Sequence, residues 1–289
     1  MAAILVTGAN GQLGTELSLL AGEYPQHHFI FTDVAELNIT SQKNVEDFFS
    51  AHQFDFCINC AAYTAVDKAE SDMESAFNLN AAAVFNLAQT TGSRKTKLIH
   101  ISTDFVFDGR KHKPYDETDT PAPLNIYGKS KWRGEEACLQ QNPESIILRT
   151  SWLYSPFGNN FVKTIQRLAK ERKEIGVIYD QVGTPTYAYD LARAILHIIE
   201  KQESANASGI FHYSNEGVAS WYDFAAAIIE ISNLPCSVKP LETHEYPTPA
   251  KRGHFTVLNK NKIRQTFGLT IPNWQESLKK CIERIHGAN

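Results

Sequence analysis

Residues 3–14 read AILVTGANGQLG, an uninterrupted apolar run that passes directly into three glycines, Gly8, Gly11 and Gly14. The run has the composition of a strand buried on both faces, as in a parallel sheet. Behind it, Gln12–Leu20 repeats its apolar residues at helical spacing. A strand that turns through glycines into a helix can cradle a phosphate. The first glycines permit a tight turn and close backbone approach to a pyrophosphate, the third lets helix pack on strand, and the helix N-terminus favours negative charge. Position decides the reading, since a glycine triplet elsewhere would say little.

Asp33 stands nineteen residues beyond Gly14 and closes the second apolar run, HHFIFTD. A carboxylate there can accept hydrogen bonds from the adenosine ribose hydroxyls and repels a 2′-phosphate. No Arg or Lys follows in DVAELN, so these residues by themselves predict ready use of NADH.

Outward from this loop, the first 150 residues alternate apolar runs with helical patterns. Runs at Ala3–Thr7, His28–Thr32, Phe56–Asn59, Leu98–Ile101 and Ile146–Leu148 are separated by helical segments at Gln12–Leu20, Gln42–Ala51, Ser71–Thr91 and Asn125–Gln141. That alternation predicts an α/β, Rossmann-like doubly wound parallel sheet. After Arg149 the rhythm loosens. Helices are expected over Asn160–Arg172, Asp190–Lys201, Ser220–Ile231 and Trp274–Ile285, strands over Ile175–Tyr179 and Ile210–Tyr213, with a polar, Pro-bearing stretch at Lys239–Gly253. Residues 1–152 are read as the dinucleotide-binding domain, with the 190–201 helix returning to it. Residues 153–289 are read mainly as a smaller substrate-binding lobe over the sheet's carboxyl edge.

Composition narrows the classes of function. The 289 residues are 43% hydrophobic and 21% charged with net charge −4, which suits a folded globular protein. No basic surface for nucleic acid or membrane is advertised. No segment approaches the roughly 20 apolar residues that span a bilayer, and MAAILVTGANG lacks the basic flank of a signal peptide. Of the five cysteines, Cys57 and Cys60 form C-x-x-C, but inside the strand pattern DFCINCAAY, where residues three apart point to opposite faces. They are read as structural, in a reducing cytoplasm.

The chemistry concentrates in NIYGKSK, Asn125–Lys131, where Tyr127 and Lys131 lie four apart and share a helical face. A phenol with an ordinary pKa of about 10 is a poor acid at neutral pH. An ammonium one turn away favours the phenolate and is expected to draw Tyr127 toward useful acidity. Upstream, LIHISTDFVFDG ends a buried run in Ser102, Thr103 and Asp104. Ligands of open α/β sheets bind at that edge. A hydroxyl there can bond a substrate carbonyl while tyrosine protonates it.

These blocks together resemble the extended short-chain dehydrogenase/reductases, and among them the enzymes that reduce a 4-keto deoxysugar nucleotide to dTDP-L-rhamnose. The resemblance covers nearly the whole chain. It includes NCAAYTAVDKAE at Asn59–Glu70, PLNIYGKSKWRGE at Pro123–Glu135, LRTSWLY at Leu148–Tyr154, DQVGTPT at Asp180–Thr186, SWYDFA at Ser220–Ala225 and YPTPAKR at Tyr246–Arg252. It implies a nucleotide-sugar substrate, NADPH or NADH as cofactor, and a monomer or homodimer. It also implies that Gly11, Gln12 and Leu13 lie along the pyrophosphate, Asp33 on the ribose, Asn38 and Ile39 near the adenine, and Ala61, Ala62, Tyr63 and Thr64 beside the cofactor. Tyr127 becomes the proton donor to the C4 oxygen and Lys131 the holder of the nicotinamide ribose. Thr103 and Asp104 orient the substrate, Trp152 packs against the sugar or lines its pocket, and Arg252 meets the diphosphate.

Some members are described as dimers joined through Mg²⁺ held by glutamates. Glu16 matches one such position, but Tyr189 and Arg284 stand at the other two. Because Mg²⁺ prefers an oxygen shell, no metal is expected, and Glu16 is read as a favourable charge near a helix N-terminus. His100 is read as a satisfied core residue, Asp116–Asp119 as a solvated loop, and Trp221 and Tyr222 as packing. Two other functions stay open. Related dehydratases carry an Asp-Glu pair after the strand-end Thr, whereas Phe105 follows Thr103-Asp104 here; an epimerase is not separated by sequence. A non-catalytic partner role, like that of the regulatory subunit of methionine adenosyltransferase, would not need the complete set Thr103, Asp104, Tyr127 and Lys131.

Overall fold

Consecutive apolar residues in the strand Ala3–Thr7 (β1) feed two cores at once. Ile4 and Val6 enter one cluster and Leu5 the other, because successive side chains leave opposite faces. A computed structural model describes residues 1–287, the side chains of residues 202–205 apart. In it β1 lies between His28–Thr32 (β2) and Phe56–Asn59 (β3). Lys97–Thr103 (β4), Ile146–Thr150 (β5) and the edge strand Gly209–His212 complete a six-stranded sheet ordered edge strand, β5, β4, β3, β1, β2, parallel at every pairing. Chain direction across the sheet reverses between β1 and β3, and the crevice at such a switch point is where ligands bind.

One face is covered by helices Gln12–Leu20, Ala188–Ala205 and Asn261–Phe267, whose Leu17, Ile195 and Ile263 share a cluster with Ile58 and Ile99. The other face carries Gln42–Ala51, Ala83–Ser93 and Ile126–Gln141, with Val45, Leu87 and Cys138 against Leu5 and Cys57. Cys57 and Cys60 fall on opposite faces, as strand geometry requires, and all five thiols are free. Helix Ala188–Ala205 lies on Gln12–Leu20, and Arg193 reaches Glu23 at 3.1 Å.

A separate cluster gathers Val162, Ile165, Phe224, Ile228 and Leu278 from helices Phe161–Glu171, Trp221–Ile231 and Trp274–Gly287. Over it run the paired strands Glu174–Ile178 and Ser237–Leu241. The second of these falls partly in the stretch read from sequence as irregular. Pro240 is compatible with a strand that pairs on only one side.

Four expectations change. The long helix expected over Ser71–Thr91 is interrupted by a π turn at Asn78–Ala82 between Met73–Phe77 and Ala83–Ser93. In that turn Asn80 is fully buried and clamps Tyr63, accepting from its N–H at 2.9 Å and donating to its carbonyl at 3.0 Å, with a further bond to Ser130. Glu16 is not in the first turn of its helix but fully buried, where both its oxygens meet Arg284 Nη1 at 2.9 Å, so it is one half of an ion pair. The acidic loop is docked rather than solvated: Glu117 accepts from the His212 N–H at 3.1 Å, and Lys111 pairs with Asp119. His100 is only half satisfied, with Nδ1 beside Asn59 Nδ2 at 3.1 Å and a buried Nε2 that meets no partner among the described residues.

Candidate active site at the carboxyl edge of the sheet

Gly8 ends β1 with φ of +66°, a conformation L side chains rarely adopt, and a Cβ there would stand 2.6 Å from the Ala61 N. The turn therefore nests against the end of β3. Gly14 faces the turn itself, where a Cβ would meet the Gly8 carbonyl at 2.4 Å. Gly11 caps the next helix in an extended conformation with no side-chain cap, leaving the leading N–H groups unspent. Asn10, Gly11, Gln12 and Leu13 line a cavity of about 650 Å³. An open cradle of backbone donors at a helix N-terminus is the chemistry a dinucleotide pyrophosphate requires. Gln12 is fixed from across the cleft, its Oε1 accepting from Ser155 at 3.2 Å and Asn160 at 2.9 Å.

The opposite wall is built by the helix Ile126–Gln141. Asn125 caps it, accepting from Gly128 N–H at 2.8 Å and donating to the Lys251 carbonyl at 2.7 Å. Gly128 lets this helix start against the turn after β4, where a Cβ would lie 2.3 Å from the Phe105 carbonyl. That close approach puts Tyr127 beside Thr103, with the phenol ring edge-on to Phe105 at 5.5 Å. Thr103, Asp104, Tyr127 and Lys131 all line the same cavity.

Electrostatics in this wall are set by burial. It pushes the Tyr127 phenol up to about 12; hydrogen bonding with Thr103 opposes this and Asp104 adds to it. Burial thus leaves the phenol a weaker acid than usual, against the expectation drawn from the Tyr127–Lys131 spacing. Lys131 is itself held down to about 8 by burial, with Glu135 pulling the other way. Its ammonium donates to the Ile101 carbonyl at 2.6 Å. Asp104 is pushed up to about 6 by burial, against hydroxyl bonds from Thr256 and Thr103. Beneath them, Glu135 accepts from Ser102 at 2.5 Å and from Arg149 at 2.9 and 2.6 Å, all three nearly inaccessible to water.

The remaining candidates divide. Ala62 and Thr64 line the cavity, whereas Ala61 is held behind it by a bond from its N–H to Asn59 at 3.2 Å. The Tyr63 hydroxyl donates to Asp72 at 3.1 Å, outside the lining. Asp33 closes β2 next to the loop, its Oδ2 accepting from the Asn10 N–H at 3.1 Å. Asn38 turns its Oδ1 onto Thr40, and the Ile39 side chain is buried in the core. The structure does not bring these two into the cavity. Arg252 lines it, with its guanidinium bonded to Asp67.

Trp152 adopts φ of +46°, an uncommon conformation for a bulky residue. Surrounding contacts impose it. The Trp152 carbonyl accepts from Thr186 N–H at 3.2 Å, its indole stacks on Trp221 with ring centres 3.6 Å apart, and Gly183 packs against the ring. Trp221, read from sequence as packing, therefore lines the cavity beside Trp152 and Phe161. The only signal for it was an aromatic just after a helix cap, Ser220, which most often marks core. Asn160 was equally missed, although its position before the helix Phe161–Glu171 identifies it as a cap.

The RmlD substrate binding domain family matches residues 1–286. A dTDP-4-dehydrorhamnose reductase from Aggregatibacter actinomycetemcomitans is 43% identical over 288 residues, covering 96% of this chain and 98% of that one. The chain belongs to the dTDP-4-dehydrorhamnose reductase family. The crystal structure of such a reductase from Clostridium acetobutylicum ATCC 824 superposes with a TM-score of 0.93 at 42% identity, covering 98% of this chain and 99% of that one. A reductase of the family from Bacillus anthracis str. Ames, solved in complex with NADP, gives 0.92 at 38% identity with the same coverage. Family membership agrees with the six-stranded parallel central sheet. Among the described residues no helix is long and apolar enough to cross a membrane.

Proposed function

We propose that the protein reduces the C4 ketone of dTDP-4-dehydro-L-rhamnose (dTDP-6-deoxy-L-lyxo-4-hexulose) to dTDP-L-rhamnose, using NADPH or NADH. The observation that carries this reading is the convergence of Thr103, Tyr127 and Lys131 on the cavity that also opens onto the uncapped glycine loop. A bound nicotinamide dinucleotide supplies the hydride. Gly11, Gln12 and Leu13 hold its pyrophosphate, Asp33 its adenosine ribose and Lys131 its nicotinamide ribose, with Ala62 and Thr64 alongside.

Tyr127 delivers the proton to the C4 oxygen. A phenol at about 12 is fully protonated at neutral pH, so it waits as a donor. The charge that develops on the C4 oxygen draws the proton across, and Lys131 steadies the phenolate left behind. Thr103 bonds the same carbonyl oxygen, and Asp104 orients the sugar hydroxyls. Trp152, on its Trp221 platform, forms the wall against the sugar ring, and Arg252 meets the diphosphate. Residues 153–289 act mainly as the substrate-binding lobe. The free thiols suit a protein working in the cytoplasm, as monomer or homodimer.

The test is oxidation of NADPH and NADH by purified protein, with the 4-keto sugar nucleotide generated in the same tube. Oxidation dependent on the protein, with a rhamnose nucleotide as product, is expected. Protein that binds dinucleotide yet oxidises neither cofactor would overturn the proposal.

A further inference from the structure

Asp67 lies on the short helix Val66–Ala69 behind β3, and Arg252 lies 185 residues later in the C-terminal segment. Their side chains meet end-on. Arg252 Nη1 donates to Asp67 Oδ1 at 3.0 Å and Nη2 to Oδ2 at 2.9 Å. The grip is braced from the Arg252 side. Nη1 also reaches the Thr248 hydroxyl at 2.7 Å and the Ala250 carbonyl at 2.9 Å, while the Ala250 N–H donates to Asp67 at 3.2 Å. Hydrogen bonds from Arg252 hold the Asp67 carboxyl below its ordinary range, so the clasp is closed at neutral pH.

A guanidinium has five N–H donors in a rigid fork. Holding Asp67 through Nη1 and Nη2 leaves its other edge, the Nε–H and the parallel Nη2–H, and among the described residues no acceptor meets Nε. That edge has the two-pronged geometry that grips phosphate oxygens. Arg252 also lines both the cavity holding Tyr127 and an adjoining one of about 580 Å³.

Resting on the reading of Arg252 as the diphosphate partner, we propose that Asp67 is a positioning residue. It locks the Arg252 guanidinium end-on and so presents its free edge to the substrate's diphosphate. A carboxylate near a phosphate site ordinarily weakens phosphate binding by repulsion. Here it removes in advance the rotamer freedom that a long, unrestrained arginine would lose on binding. The two effects have opposite signs, which makes the proposal decidable.

In the full-length protein, Asp67→Asn keeps the shape but lacks the charge and one of the two acceptors. The expected result is dTDP binding weakened about tenfold by calorimetry and a KM for the 4-keto sugar nucleotide raised similarly, with kcat within about twofold. NADPH affinity should stay at the wild-type value, and Asp67→Glu should recover part of the loss. Unchanged or tighter dTDP binding in Asp67→Asn, with NADPH binding intact, would mean that Asp67 competes with the diphosphate, and the proposal falls. If Asp67→Asn loses NADPH binding through misfolding, Arg252→Lys decides instead. It keeps the charge without the fork, and full dTDP affinity there would overturn the proposal. Wild-type protein whose dTDP binding depends on Asp67 but which never reduces the ketone would sink the functional reading and leave the clasp standing.

Discussion

Raising the pH from about 7 to about 9 should slow this enzyme roughly tenfold by discharging Lys131. The magnitude follows from where that lysine sits. Only 2% of it is exposed, and burial brings it from an ordinary 10.5 down to about 8, a bias of about 3 kcal/mol against the ammonium. Glu135, one turn further along the helix, keeps it from falling lower. About nine-tenths of the protein then carries the ammonium at pH 7 and about one-tenth at pH 9, the sign being loss of the charged form as pH rises. Tyr127, near 12, does not titrate in this window and Asp104, near 6, is already ionised. The assay is kcat/KM for the dinucleotide across this range, since that parameter reports groups on the free enzyme. A Lys131→Arg variant keeps its charge at every pH tested, so its alkaline limb should vanish at a lower overall rate. A profile flat to about pH 9.5, or the same limb in the arginine variant, would refute the assignment of that charge to Lys131.

Tyr127→Phe should lower kcat by about 10²–10⁴ while leaving the dinucleotide Kd unchanged in a fluorescence titration. Gly128→Ala adds a Cβ 2.3 Å from the Phe105 carbonyl, which moves the Tyr127 helix off the Thr103 turn; kcat should fall with little change in cofactor affinity. Glu135→Ala strands the buried Arg149 guanidinium at a cost of about 3–5 kcal/mol. Thermal unfolding should then drop by roughly 6–15 °C, and the double replacement Glu135→Leu with Arg149→Met should restore much of it.

The sequence by itself determined the frame. In a doubly wound sheet each strand is buried on both faces, so AILVT, FCIN and the other runs read as strands without reference to anything else. The glycine loop and Tyr127–Lys131 were legible for the same local reason: three residues make a turn, and four make a helical step. What tertiary structure alone decided involves partners far apart in the chain. Glu16 found Arg284 across 268 positions, Gln12 found Asn160 across 148, and Asp67 found Arg252 across 185. No periodicity encodes such meetings. The direction of the Tyr127 shift belongs to the same class. Spacing announces that an ammonium lies one turn away, but only packing fixes how much water is excluded, and here burial is the largest influence on the phenol. The π turn that aims Asn80 at Tyr63, and the left-handed Trp152 held on Trp221, likewise exist because neighbouring elements demand them against local preference.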